Sequence, residues 1–268
     1  MKESEKKLIV KEKYGKIAVQ ADSTGAGNCC CGPASSCCGT DYTVFSESYE
    51  ALNGYNADAD MGLGCGIPTG YAGLKPGNHV LDLGSGAGND CFVARAEVGE
   101  SGWVTGLDFT EEMVSRARAN LSKLGYENIE FVLGDIEEMP FIEGTYDVVI
   151  SNCVLNLVPD KARAFDEIWR VLKPGGHFCV SDVVIIGDLP EKLRSDAEMY
   201  AGCVSGAIEM DGYLSLIHQA KFHDVQVHKQ KRIELPDSLL MQYLSESEVS
   251  GFGGDSSGIF SITVSGRK

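Results

Sequence analysis

Basic residues are scarce in this chain. Lysine and arginine total 23 against 39 aspartates and glutamates, a formal net charge of -16 at pH 7. Such a surface repels phosphate backbones and anionic lipid, so no nucleic acid and no membrane partner is expected. A neutral or cationic ligand meets no such barrier. Long apolar runs are missing too, and no stretch approaches transmembrane length. The start, MKESEKKLIVKEKYGKIAVQ, is charged and lacks an apolar segment, so no secretory leader is expected. The protein is expected in the cytoplasm with its thiols reduced. No internal repeat is evident. The five histidines (His79, His177, His218, His223, His228) are scattered, and none stands at ligand spacing from a cysteine. They read as structural or surface groups. The 268 residues are 43% hydrophobic and 23% charged, which suits a soluble globular protein with one large domain or a domain with appendages.

Cysteine breaks this pattern of scarcity. Ten cysteines are many for a cytosolic chain and raise soft-metal or redox chemistry. Half of them, Cys29, Cys30, Cys31, Cys37 and Cys38, crowd into ADSTGAGNCCCGPASSCCGT. That segment is small, Gly/Ser-rich and unable to bury much apolar surface, so it reads as a loop. A zinc knuckle is disfavoured, because no second C-x2-C or H-x3-H pair accompanies it.

The middle of the chain alternates regularly. Leu8–Val19 reads as a short helix and 41–78 as helical in part. HVLDLG, WVTGLD, IEFVLGD, YDVVISN and HFCVSDVV read as five strands. NDCFVARAEV, TEEMVSRARANLSKLG and PDKARAFDEIWRVLKPGG read as helices, the second capped by Thr110 and the third stopped by Pro-Gly-Gly. Helical segments near 190–200 and 211–220 follow, then strand-like DVQVHKQKRIEL and IFSITVSGRK. The expected fold is α/β, a doubly wound, mostly parallel sheet. Four regions follow from this: a helix and cysteine-rich segment over 1–40, a helical cap over 41–74, the core over 75–186, and a C-terminal α+β region over 187–268.

Gly84, Gly86 and Gly88 form G-x-G-x-G between a strand and a helix, where backbone can approach a ligand closely. A dinucleotide fingerprint needs its third glycine at position 89, which is Asn89, so the NAD pattern fails. Asp82, just before the first glycine, suits a ligand with a cationic amino group. Asp108 ends the second strand, where a carboxylate grips ribose hydroxyls. Asp135 follows the third strand and could accept from an adenine amino group. Each acid alone could be a loop residue or a helix cap. Three at successive strand ends point to a ligand site.

VLDLGSGAG, GLD, LGDIEEMP and RVLKPGG together resemble the class I S-adenosylmethionine-dependent methyltransferases over about residues 75–186. The resemblance implies S-adenosylmethionine (AdoMet) as cofactor, with Gly84, Gly86 and Gly88 around its methionine part. It places Asp82 and Ser85 there too, Asp108 on the ribose, Phe109 on the adenine face, and Asp135 with Ile136 at the adenine. It also implies an antiparallel closing pair of strands. Asn152 either contacts the cofactor or caps its turn.

Three cysteines have unusual surroundings: Cys65 in GLGCGIPTG, Cys153 in ISNCVLNL and Cys203 in YAGCVSGA. None lies on a regular apolar face, whereas Cys91 and Cys179 fit a helix core and a strand. A lone cysteine is usually a small buried hydrophobe. The glycines beside Cys65 read as leaving its thiol uncrowded. The contexts LGLGCGIPT, ISNCVLNLVPDK and AGCVSGA, with KEKYGKIA, resemble the microbial arsenite S-adenosylmethionine methyltransferases over nearly the whole chain. Ile67 departs from the polar residue usual after GCG.

This second resemblance implies methyl transfer to trivalent arsenic held by Cys65, Cys153 and Cys203, the arsenic arriving as a thiol adduct. It implies a disulfide involving an upstream cysteine, Cys37 or Cys38, and a thiol reductant, thioredoxin or glutathione. A monomer is expected. Soft thiolates select a soft centre such as arsenic, and arsenous acid is neutral at pH 7. Two alternatives stay open: a methyltransferase for a quinone- or sterol-like molecule, and a thiol protein that sequesters As(III) or metal. IEEMP, residues 136–140, and the run near 245–248 read as solvated faces.

Overall fold

The computed structural model describes residues 3–23, 47–187, 206–234, 241 and 258–268. Helix α1 (Glu3–Ser23) extends beyond the Leu8–Val19 segment at both ends. The alternating unit follows as β1 (His79–Leu83), α2 (Asn89–Val98), β2 (Trp103–Asp108), α3 (Glu111–Leu124), β3 (Ile129–Leu133), β4 (Tyr146–Asn152), α4 (Lys161–Val171) and β5 (Leu172–Ile186). Helix α5 (Met210–Gln219), β6 (His223–Ile233) and β7 (Gly258–Arg267) complete the described elements. The strands form one seven-stranded sheet in the order β3-β2-β1-β4-β5-β7-β6. β1 to β5 run parallel, and β7 pairs antiparallel with both β5 and β6. The doubly wound sheet and its antiparallel closure match the sequence pattern.

Side chains alternate across the sheet with the period of a strand. Leu81, Leu83, Val149, Phe178 and Val180 face one side and pack with Phe165, Ile168, Tyr213 and Ile217 of α4 and α5. Val80, Val148, Ile150 and Cys179 face the other and pack with Phe92, Ala94, Val114 and Ala117 of α2 and α3. Both faces are therefore covered, which leaves the strand ends as the place for a ligand.

Three local expectations are corrected. The region 41–74 is not a helical cap over its described residues 47–74, which form turns and one 3₁₀ turn, Pro68–Gly70. Gly54 and Gly62 adopt φ of 84° and 64° there, a left-handed backbone that interrupts a right-handed helix. Helix α4 stops at Val171, and its start is capped by Asp160, whose carboxylate accepts from Arg163 N at 3.0 Å. The Lys-Pro-Gly-Gly run lies inside β5 as a bulge, with Leu172 opposite Tyr146 and His177 opposite Val148. Thr110 occupies the cap position of α3, yet its side chain caps no backbone N–H. The helix expected near 190–200 lies outside the described residues.

Candidate active site

The C-terminal ends of β1, β2 and β4 open onto one cavity, over which α1 lies with Lys7, Val10 and Tyr14 in its wall. The loop after β1 is tied to β2: Gly84 N and Ser85 N both donate to Leu107 O, at 2.7 and 3.0 Å. Gly84 has φ 66°, and a Cβ there would stand 2.4 Å from the Val154 side chain. This loop therefore presses against the side chain of the residue just past Cys153. Gly86 is the opposite case: it lines the cavity, and a Cβ would meet nothing within 4 Å. Gly88 does not line the cavity; it is the N-cap residue of α2. Gly84→Ala is expected to cost about 3 kcal/mol, the sum of a left-handed alanine and an overpacked contact. Urea denaturation checks this, and a variant with the wild-type midpoint would remove Val154 as the constraint.

Asp82, Asp108 and Asp135 all line this cavity, with Ser85, Phe109, Ile136 and Asn152. Asp108 is buried and braces the loop: Oδ2 accepts from Gly86 N at 3.0 Å and Oδ1 from Thr110 N at 2.8 Å. Burial raises its pKa, against the pull of those backbone donors. Asp135 is held by α1, its Oδ2 accepting from Lys7 Nζ at 2.6 Å. Lys7 also pairs with Glu137, which is buried and accepts from Asp160 N at 2.7 Å through Oε1. IEEMP is therefore not simply a solvated turn. Glu137 packs it against α1 and the start of α4.

Asp82 is buried and accepts from Cys91 Sγ at 3.2 Å. Burial, then the neighbouring Asp90 charge, pushes the Asp82 carboxyl well above its usual range. Asp90, in the first turn of α2, is pushed up to about 6 by desolvation, against hydrogen bonds from Asn152 and Tyr49. Burial keeps the Cys91 thiol protonated and pushes Cys179 up to about 12. These two cysteines are structural, as their positions in the sequence suggested.

The cysteines among the described residues, Cys65, Cys91, Cys153 and Cys179, are all buried. Cys153 sits in the cavity wall at the tip of β4, with φ 60° and its N–H donated to Ser181 O at 2.7 Å. A left-handed cysteine is uncommon and costs about 1–3 kcal/mol, so the surroundings hold it there. Cys65 is buried, at 1% exposure, and lies behind the wall rather than in it. Its N–H donates to Asn152 Oδ1 at 3.1 Å, which anchors the Cys65 loop to the residue preceding Cys153. The flanking glycines do not leave the thiol uncrowded. A Cβ on Gly64 would lie 2.7 Å from Asn152 Nδ2, and one on Gly66 would lie 2.6 Å from Ser181 Oγ. They let the backbone approach β4 and β5. Cys203, Cys37, Cys38 and Cys29–Cys31 lie outside the described residues. Among the described residues no group of three His, Cys, Asp or Glu side chains is placed to hold a metal ion.

A family model described as a methyltransferase domain matches residues 74–234. The chain belongs to this methyltransferase domain family. It is similar to the arsenite methyltransferase of Halobacterium salinarum, 43% identical over 83% of this chain and 59% of that protein. It is similar also to the arsenite methyltransferase of Aquipseudomonas alcaligenes, 38% identical over 69% of this chain and 55% of that protein. Among solved structures, an arsenic (III) S-adenosylmethionine methyltransferase from Chlamydomonas reinhardtii superposes with a TM-score of 0.64. That structure is 36% identical, over 75% of this chain and 66% of its own. The chain spans little more than half the length of the two curated relatives.

The cavity of this methyltransferase domain fits AdoMet by its own chemistry. Ser85 Oγ and Asn89 Oδ1 are buried without a hydrogen-bond partner, and both residues line the cavity. A polar ligand would satisfy them. Asp82 and Asp90 repel each other, and a cationic ligand relieves that repulsion. Phe109 and Ile136 add apolar wall. Sequence reasoning missed Tyr49, Asp90, Asp182 and Tyr213, all buried or in the cavity wall. No helix among the described residues is long and apolar enough to cross a membrane.

Proposed function

We propose that this chain transfers the methyl group of AdoMet to trivalent arsenic held by protein thiols. The observation that carries the reading is the placement of Cys153. It is fixed at φ 60° in the wall of the cavity, one residue from the Asn152 side chain that anchors Cys65. Cys65 and Cys153 both raise the pKa of the Tyr213 hydroxyl, which supports their lying near one point. Cys203 is the third thiol of the reading. Past the end of β5, the described residues resume at Gly206, and Ile185 N of β5 donates to Ile208 O at 3.0 Å. Cys203 itself lies outside the described residues, three positions before Gly206 in the sequence.

Thiols that replace the oxygens of arsenous acid leave arsenic pyramidal, with a lone pair. Bound AdoMet supplies an electrophilic methyl group on a sulfonium. The lone pair takes the methyl carbon, the carbon–sulfur bond breaks, and its electrons return to sulfur as S-adenosylhomocysteine. Arsenic carries no proton, so the site needs no general base. The residues position the two reactants and exclude water. The transfer raises arsenic from the trivalent to the pentavalent state. Two thiols closing to a disulfide return it, and a thiol such as glutathione, or thioredoxin, reopens the disulfide. Asp108 would hold the ribose, with Phe109 and Ile136 at the adenine. A cytosolic monomer belongs to the same reading.

The test is incubation of the full chain with AdoMet, arsenite and a thiol. Methylated arsenic and S-adenosylhomocysteine are expected in equal amounts per transfer. Arsenite bound tightly with no S-adenosylhomocysteine would mean sequestration. S-adenosylhomocysteine formed only with a quinone-like acceptor would mean another methyltransferase.

A further inference from the structure

Three other segments meet beside the Cys65 loop, those of Tyr49, Asp90 and Asn152, and one side chain joins them. Asn152 is the hub. Its Oδ1 takes the Cys65 N–H at 3.1 Å, which fixes the orientation of the amide. Its Nδ2 then faces Tyr49 Oη at 2.7 Å, Gly66 O at 2.8 Å and Asp90 Oδ2 at 3.1 Å. Tyr49 is buried, so its hydroxyl must find partners within the protein. It accepts from Asn152 and lies 2.9 Å from Asp90 Oδ1, to which it can donate. Asp90 sits in the first turn of α2, where the helix dipole favours a carboxylate.

We propose that Tyr49 and Asp90 are positioning residues, which through Asn152 hold the Cys65 loop on the tip of β4 and so set the separation of Cys65 from Cys153. The consequence for catalysis rests on the arsenic reading; the tether itself does not. An atom bridged by two thiols tolerates little change in their spacing, and a misplacement of about 1 Å can cost about a hundredfold in rate. Neither Tyr49 nor Asp90 needs to touch arsenic for this. Gly64 shows how tight the contact is, because any side chain there would strike the same Asn152 amide.

The test compares Tyr49→Phe with wild type by two measurements. The first is amide hydrogen exchange of the Cys65 peptide without any arsenic. Exchange is expected to rise about tenfold on loss of one buried charge-assisted hydrogen bond. The second is steady-state methylation. The KM for arsenite is expected to rise about tenfold, by more than any fall in AdoMet affinity measured by calorimetry. Asp90→Asn should give the same exchange result if Tyr49→Phe fails to fold. The double variant should add little, since both residues act through Asn152. Unchanged exchange would overturn the tether. Faster exchange with an unchanged KM for arsenite would overturn the positioning role, and a matching loss of AdoMet affinity would assign the pair to the cofactor instead. If wild type methylates no arsenic, the functional reading falls, and the exchange measurement alone decides the tether.

Discussion

Cys153→Ser is expected to lower methyl transfer to arsenic by at least about a thousandfold, some 4 kcal/mol of barrier, while leaving the fold in place. Serine changes one atom. It can keep the left-handed backbone at φ 60° and the N–H bond to Ser181 O. AdoMet affinity should stay within about twofold, because the loop after β1 and Asp108 are untouched. Softness is what changes: a hydroxyl is a hard, protonated ligand that does not compete for trivalent arsenic. Cys179→Ala is the control. Cys179 is a fully buried thiol in the core between the sheet and α2 and should cost stability alone. Methylarsenic made by the serine variant at the wild-type rate would remove Cys153 from the site.

Cys153→Gly sharpens the same argument. Glycine adopts a left-handed conformation without the penalty that cysteine bears. If packing alone kept a residue at the tip of β4, glycine would be the better choice. A glycine variant as stable as wild type yet inactive would show a thiol kept for chemistry at some expense in strain. Melting curves beside activity assays give both halves of that comparison.

The sequence made the sheet legible because both of its faces are covered. Buried parallel strands read as short apolar runs, and the glycine loop and Asp108 fall where strand ends must lie. The site was legible only where its residues act within their own segment. Tyr49 was invisible because its meaning comes from Asn152, 103 positions away. Lys7 gives Glu137 its partner in the same way, from the far side of the sequence. The glycines beside Cys65 were noticed but misread, since the atoms they admit belong to β4 and β5. Pro-Gly-Gly after α4 marked a break correctly, yet the sheet absorbed it as a bulge opposite Asp147. Local signals name the residue types; the fold decides which distant partner each one meets.

Asp182→Asn is expected to stabilise the protein above neutral pH by as much as about 4 kcal/mol and to do almost nothing near pH 4. Asp182 is fully buried on β5, on the face packed by α4 and α5. Desolvation pushes its carboxyl up to about 7, against donors at Val183 N and Tyr213 Oη and the Lys161 charge. Val183 N donates to Oδ1 and Tyr213 Oη to Oδ2, both at 3.0 Å; these donors favour the carboxylate, and burial outweighs them. A raised pKa in the native state means that the native state binds the proton more tightly than the unfolded chain does. The contribution is complete below the unfolded value near 4 and is lost as pH rises through about 7. Three units at about 1.36 kcal/mol each give the upper limit. Asparagine is neutral at every pH and nearly isosteric, so it should flatten this part of the curve. Asp82, Asp90 and Asp108 are raised as well and slope the same way, so the wild-type decline will exceed the Asp182 share. The difference between the two proteins isolates Asp182. Urea denaturation at pH 4, 6 and 8 measures it. Parallel curves would show that Asp182 ionises in the native protein as readily as in the unfolded chain, and that its bonds to Tyr213 and Val183 hold an anion rather than an acid.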